Sequence, residues 1–211
     1  SLYANTTGSS NTAIGHQTLY SNVAKNGSTA IGYQAMYYAD NTGTGALSYN
    51  TAVGYQALTG SGTAGNNTGT GNTAIGHQSM TANTSGYSNT AVGVDTLNSN
   101  TTGFLNVAIG RSSMFNNTSG TINTAIGNDS LKGLSSGSVG SGNVAMGFET
   151  LEQINGGDYN TAIGGYSMKY DFSGNYNVGL GYGALSGWNV GVSGNNNVAI
   201  GDLSMYGNGT I

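Results

Sequence analysis

Cysteine and proline are both absent from these 211 residues, and charged side chains make up only 6% of them. Without cysteine there is neither a disulfide framework nor a thiol nucleophile, and the chain fits any redox compartment. Only four residues are basic (Lys25, Arg111, Lys132, Lys169), they do not cluster, and the net charge is −4. Phosphate neutralisation needs grouped Lys or Arg, so nucleic acid is excluded as a partner. No apolar run approaches the ~18 residues of a membrane-spanning helix, so no membrane insertion is expected of this segment. The opening SLYANTTGSS also lacks the basic and apolar regions of a secretory leader, and the chain reads as a mature piece of a longer fibre.

Catalytic patterns are missing as well. There is no G-x-S-x-G and no phosphate-binding loop, and short strings such as Gly43-Thr44-Gly45 are expected by chance where 38 residues are glycine. The eight carboxylates are scattered, and the regular aspartates of calcium-binding coils do not recur. His16 and His77 stand far apart, and neither has a second ligand at metal spacing. No catalytic residue, cofactor or metal is expected, and the chain reads as a non-enzyme.

What the sequence does have is a nine-residue pattern, N-[T/V]-A-[I/V/M/L]-G-x-x-[A/S/T]-[L/M], repeated eleven times. It starts at Asn11, Ser28, Asn50, Asn72, Asn89, Asn106, Asn123, Asn143, Asn160, Asn177 and Asn197; Ser28 and Gly179 are the only departures in its first five positions. Successive starts lie 17, 20 or 22 residues apart. A fixed period of this kind means a solenoid or fibrous array, here one repeat domain spanning residues 1–211. The periodic aliphatics argue against disorder despite the excess of Gly, Asn, Ser and Thr.

In an extended segment side chains alternate faces, so positions 2 and 4 share one face and positions 3 and 5 the other. The aliphatic face is expected to be buried, with position 9 (Leu or Met throughout) forming a second core column; five of the six methionines fall at position 9 and the sixth, Met146, at position 4. Each coil is then a short strand, a Gly-initiated turn, a second short strand through position 9 and a polar return rich in Asn, Thr, Ser and Gly. Glycine three residues before nine of the motifs (Gly8, Gly69, Gly86, Gly103, Gly120, Gly140, Gly157, Gly174, Gly194) is expected to supply a positive-φ turn. Stacked asparagines at position 1 should form an amide ladder. The expected fold is an all-β parallel solenoid of about eleven coils. One coil offers only two large apolar side chains against the entropy of ordering it, which favours association of chains, with a single-chain solenoid as the alternative.

The repeat N-[T/V]-A-I-G resembles the NSVAIG-type repeat of YadA-like trimeric autotransporter adhesin heads, and the longer NTAIGYQAL…SNTTG pattern is similar to repeats in phage tail fibres and bacterial surface fibre proteins. The resemblance runs from Asn11 to Met205, although adhesin-head repeats are usually shorter than 17 residues. It implies a left-handed parallel β-roll, a homotrimer, an extracellular, cell-surface or virion location, and adhesion or receptor recognition. A purely structural shaft or self-assembling filament, joined end to end through open strand edges, is the alternative. Ice binding is a remote third, because it needs an outward Thr array whereas Thr at position 2 shares a face with the aliphatics.

Binding residues are sought in the longer return loops, 37–49, 59–71, 132–142 and 186–196, since insertions in a solenoid often build its binding face. Tyr37, Tyr38 and Tyr49 lie in or at the first, and Trp188, the only tryptophan, in the last. Tyr33 and Tyr55 at position 6, with Tyr182, complete a candidate contact set for a host-surface glycan or protein receptor. Exposed rings stack on sugars while neighbouring amides reach hydroxyls; the competing role is a ladder of rings between coils.

Overall fold

Three residues per repeat suffice to make a strand. The computed structural model describes residues 1–38, 45–135, 139–170, 173–187 and 194–207. Within them the heart of every motif is extended: β1 Thr12–Ile14, β2 Thr29–Ile31, β3 Thr51–Val53, β4 Thr73–Ile75, β5 Thr90–Val92, β6 Val107–Ile109, β7 Thr124–Ile126, β8 Val144–Met146, β9 Thr161–Ile163, β10 Val178–Leu180 and β11 Val198–Ile200. All eleven run parallel in one sheet, in chain order. Like stands opposite like, Thr12 against Thr29, Ala13 against Ala30, Ile14 against Ile31. The longer returns do not shift this register, since Thr29 still faces Thr51 across a 22-residue interval. Adjacent strands lie ~4.8 Å apart, so the β-solenoid is a rod on the order of 50 Å long. A 3-10 turn at Ala64–Asn66 is the only helical segment among the described residues.

The strands face the opposite way from the sequence expectation. Position 3 alanines from Ala30 onward are fully buried, whereas position 4 points outward, with Ile14 59% and Ile200 68% exposed. Thickness decides this. Position 9 side chains such as Leu97, Met114 and Leu131 project from the far wall and are wholly buried, so the near wall has room only for a methyl group. The one Ala-to-Gly exception supports the reading, because a Cβ at Gly179 would stand 2.7 Å from Ser167 Oγ and 3.1 Å from Met168 Cε. The methionines divide accordingly: Met36, Met80, Met114 and Met168 are core residues, but Met146 on β8 faces out and Met205 in the final coil is exposed.

Among the described residues no second strand forms on the far wall. Positions 7 and 9 instead take left-handed φ in coil after coil, as at Gln17 (55°) and Leu19 (49°) or Asp129 (52°) and Leu131 (51°). Their amides still link coils. Leu19 N–H donates to Ala35 O of the following coil at 3.0 Å, and Gln34 N–H donates back to His16 O at 3.0 Å. Left-handed backbone is least tolerable for β-branched side chains. Position 9, always Leu or Met, follows that preference while position 4 accepts Ile and Val; Ile122, directly before its motif, is the one β-branched residue among those described with left-handed φ (59°).

The asparagine ladder forms as expected. Asn89 Oδ1 accepts the backbone N–H of Asn106 at 3.0 Å, and Asn106 Nδ2 donates to Gly120 O at 2.9 Å. The glycines before each motif serve a purpose other than the one expected. Gly140 has positive φ (78°), but Gly69, Gly86 and Gly103 do not; a Cβ on them would lie 2.2–2.5 Å from the carbonyl oxygen of the next coil's glycine. The left-handed turn residue is the one directly preceding each motif, such as Ser10, Ser88, Leu105 and Tyr176.

Candidate functional site

The turn face, made of positions 6, 7 and 10, carries the aromatic side chains and changes character along the rod. In coils 1–4 position 6 builds a continuous stack, His16 on Tyr33 at 5.5 Å, Tyr33 on Tyr55 at 5.2 Å and Tyr55 on His77 at 5.1 Å, all within 9° of parallel. Beside it position 7 builds an amide ladder: Gln34 Nε2 donates to Gln17 Oε1 at 2.8 Å, Gln56 to Gln34 at 2.8 Å and Gln78 to Gln56 at 3.0 Å. Position 10 adds Tyr3, Tyr20 and Tyr37, stacked at 4.8 and 5.0 Å, with Tyr38 edge-on to Tyr37. Burial raises the Tyr37 phenol above the usual tyrosine range, and Tyr20, Tyr38 and Tyr33 add to the shift. The ladder of rings is therefore the arrangement that Tyr33, Tyr37 and Tyr55 adopt. Tyr33 and Tyr55, stacked on both faces, are still exposed at 42% and 44%. Tyr49 is exposed at the turn before β3, apart from these stacks.

Tyr182 lies near the other end of the rod, where the rungs cease to match. Position 7 runs Glu149, Tyr166, Gly183, Leu203 through coils 8–11, and position 10 runs Glu152, Lys169, Ser186, Tyr206. Coil 10 thus carries no bulk at either position, between coils that carry a great deal. The backbone ladder is unbroken there, with Gly183 N–H donating to Gly165 O at 2.9 Å and Leu203 N–H to Tyr182 O at 2.8 Å. What results is a side-chain gap, a cleft of about 290 Å³ floored by Gly183 and Ser186 and walled by Tyr166, Lys169 and Tyr170 on one side. Leu203 and Tyr206 form the opposite wall, with Tyr182 along its margin. Trp188 falls outside the described residues.

Electrostatically the cleft is fixed by one cation between two anions. Lys169 Nζ contacts Glu149 Oε2 and lies 3.5 Å from Glu152 Oε2. The same nitrogen sits 4.7 Å from the Tyr166 ring centre and 5.1 Å from that of Tyr170. Burial alone would lower the Lys169 pKa, but the hydrogen bond to Glu149 and the charges of Glu152 and Glu149 raise it above the usual lysine range. Ser186 on the floor is only 2% exposed, and its Oγ has no hydrogen-bond partner. Sequence reasoning passed over this cleft by looking for aromatics in long loops. The available signal was the small pair Gly183 and Ser186 interrupting two columns of large residues.

Among the described residues no three His, Asp or Glu side chains come together, and no helix is long and apolar enough to cross a membrane. Fold and surface together define a parallel β-solenoid with a ladder-bearing turn face and an outward aliphatic sheet. No family model, curated protein or solved structure matches the chain.

Proposed function

We propose that this chain is a segment of an extracellular fibre that assembles as a homotrimer through its sheet face and serves adhesion or receptor recognition, rather than acting only as a shaft. The observation that carries the assembly is the outward strip of positions 2 and 4. Eleven strands in register present Thr or Val beside Ile, Val, Leu or Met, and Ile75, Ile109 and Ile163 are each 40% exposed. A contiguous apolar strip running the length of a rod is the mark of a surface that meets another protein surface. Three is the number the adhesin-head resemblance implies, and the variable turn face opposite leaves room for a receptor.

Sedimentation equilibrium should give three times the 21.2 kDa chain mass. Ile109→Glu with Ile163→Glu should give folded monomers, since both side chains face outward in the isolated coil. A wild-type monomer across a wide dilution range would overturn the assembly.

The same strip favours a second reading, because threonine at seven of the eleven position 2 sites is directed outward on the sheet face. The sequence argument against ice binding rested on Thr lying with aliphatics in a buried face, and this face is not buried within the chain. A trimer that covers it is incompatible with ice contact, so thermal hysteresis measured on the wild-type chain separates the two readings.

A further inference from the structure

We propose that the cleft between coils 9 and 11 binds one neutral sugar ring, which occupies the rung that coil 10 leaves vacant. This deepens the recognition half of the function proposed above and rests on it.

The argument begins with spacing. Rings in neighbouring coils elsewhere on this face stack 4.8–5.5 Å apart. Coils 9 and 11 are two steps apart, ~9.6 Å, and coil 10 places nothing larger than a serine side chain at positions 7 and 10, so Leu203 leans over Gly183, its Cδ2 2.8 Å from where a Cβ would stand, and the cleft opens beyond it. The cleft between the Leu203–Tyr206 wall and the Tyr166–Lys169 wall has the size of one small ring. A cavity of about 290 Å³ lies at the lower end of the ~300–1,000 Å³ typical of small-molecule sites.

Chemistry narrows the occupant. Ser186 Oγ is buried without a partner, and a buried hydroxyl left unpaired carries a free-energy penalty that a ligand hydroxyl would remove. A hydrocarbon or simple aromatic ring would leave that penalty in place. Lys169 Nζ offers a donor at the wall, with the Glu149 and Glu152 carboxylates behind it on coil 8. Two carboxylates around one ammonium leave the wall with a net negative charge, which disfavours uronate, sialate or phosphate. Tyrosine faces for the ring carbons, a hydroxyl on the floor and a weakly anionic wall together describe a neutral pyranose.

The test is ligand-observed NMR and calorimetry on the 211-residue chain with methyl glycosides of glucose, galactose, mannose and N-acetylglucosamine. Glucuronate and cyclohexanol serve as comparison ligands. At least one neutral glycoside should bind saturably, with a dissociation constant on the order of 1 mM or tighter, and glucuronate and cyclohexanol should bind at least tenfold more weakly. Ser186→Tyr installs the ring that position 10 already bears in coils 1, 2 and 11, so it should abolish binding without lowering the melting temperature. Should that variant fail to fold, Ser186→Ala (several-fold weaker) and Tyr206→Ala (at least tenfold weaker) carry the test. Tyr87→Ser, on the distant Tyr87–Phe104 stack, should leave affinity unchanged. Binding that survives both cleft variants, cyclohexanol binding as well as the glycosides, or no glycoside binding at all to a chain that still sediments as a trimer would each overturn the sugar site while leaving the fibre standing. Loss of the trimer itself would instead count against the fibre.

Discussion

Coils 1–4 and coils 8–11 have the same backbone and opposite surfaces on the turn face. In the first region positions 6 and 7 are filled with like partners in every coil, His or Tyr on Tyr and Gln on Gln, so those two columns have no gap. In the second, Glu149 and Glu152 meet Lys169, Tyr166 meets Tyr182 at an interplanar angle of 80°, and Gly183 with Ser186 open a cleft. The inward positions barely change between them: alanine or glycine at position 3, glycine at position 5 and Leu or Met at position 9. Side chains on the turn face are therefore not what specifies the coil, and the sequence there is free to vary with function.

The strongest way to break this comparison is to strike the shared backbone. Gly54 (φ 135°) and Gly164 (φ 118°) would each place a Cβ 2.4–2.5 Å from a carbonyl oxygen of the next coil. Gly54→Ala and Gly164→Ala should each destabilise by about 3 kcal/mol or more, combining left-handed strain with overpacking. Denaturant titration should find the two losses alike. A much smaller loss at Gly54 would mean that the filled ladder, and not the backbone, holds the N-terminal region.

Next in size is the shared core. Leu151→Ala and Leu131→Ala remove wholly buried side chains and should lose ~2–5 kcal/mol, while Ile163→Ala on the outward strip should change a dissociated chain by less than ~1 kcal/mol. The contrast between Ile163 and Leu131 also shows what was legible in the sequence. Period, register, the Leu/Met column and the Asn ladder follow from spacing alone. Which face of TAI turns inward does not, because alternation has two phases and hydrophobicity favoured the wrong one. The deciding cue lay at position 9, where the absence of Ile and Val signals left-handed backbone, hence a turn wall instead of a second strand, hence long side chains that leave only methyl-sized space opposite. The candidate site was less legible still. Tyr33, Tyr37 and Tyr55 are visible in the sequence as aromatics and take part in ladders, whereas the cleft is defined by what Gly183 and Ser186 lack.

A smaller effect sharpens the surface contrast itself. Gln56 donates to Gln34 and accepts from Gln78, so Gln56→Ala severs both ladder bonds and should destabilise by ~1–2 kcal/mol. At the same position in coil 11, Leu203 is half exposed and its backbone ladder does not depend on the side chain. Leu203→Gln should stay within about 0.5 kcal/mol of wild type. Equal losses at the two sites, read by thermal melting, would erase the distinction between a closed and an open region.

The smallest effect depends on acidity and belongs to coils 8 and 9, where Glu149 and Glu152 meet Lys169. Burial raises the Glu152 pKa above the usual glutamate range, Lys169 opposes the shift and Glu149 reinforces it. A carboxyl raised in the folded chain binds its proton more tightly there than when unfolded. Its protonated form thus contributes stability that is present below the ordinary glutamate range and is lost as pH rises through the folded value. Lys169 has the complementary behaviour: its raised pKa contributes stability below the ordinary lysine range that is lost only above it, in strong alkali. Glu152→Gln keeps a hydrogen-bonding group beside Lys169 and removes the buried charge. The variant should melt above wild type at pH 7 by less than ~1 kcal/mol of stability, and the two curves should converge as pH falls below ~4, where wild-type Glu152 is itself neutral. Melting curves that stay parallel from pH 3 to pH 8 would show that Glu152 is not the group setting the acid-side slope, and a variant less stable than wild type at neutral pH would show that its attraction to Lys169 outweighs its burial.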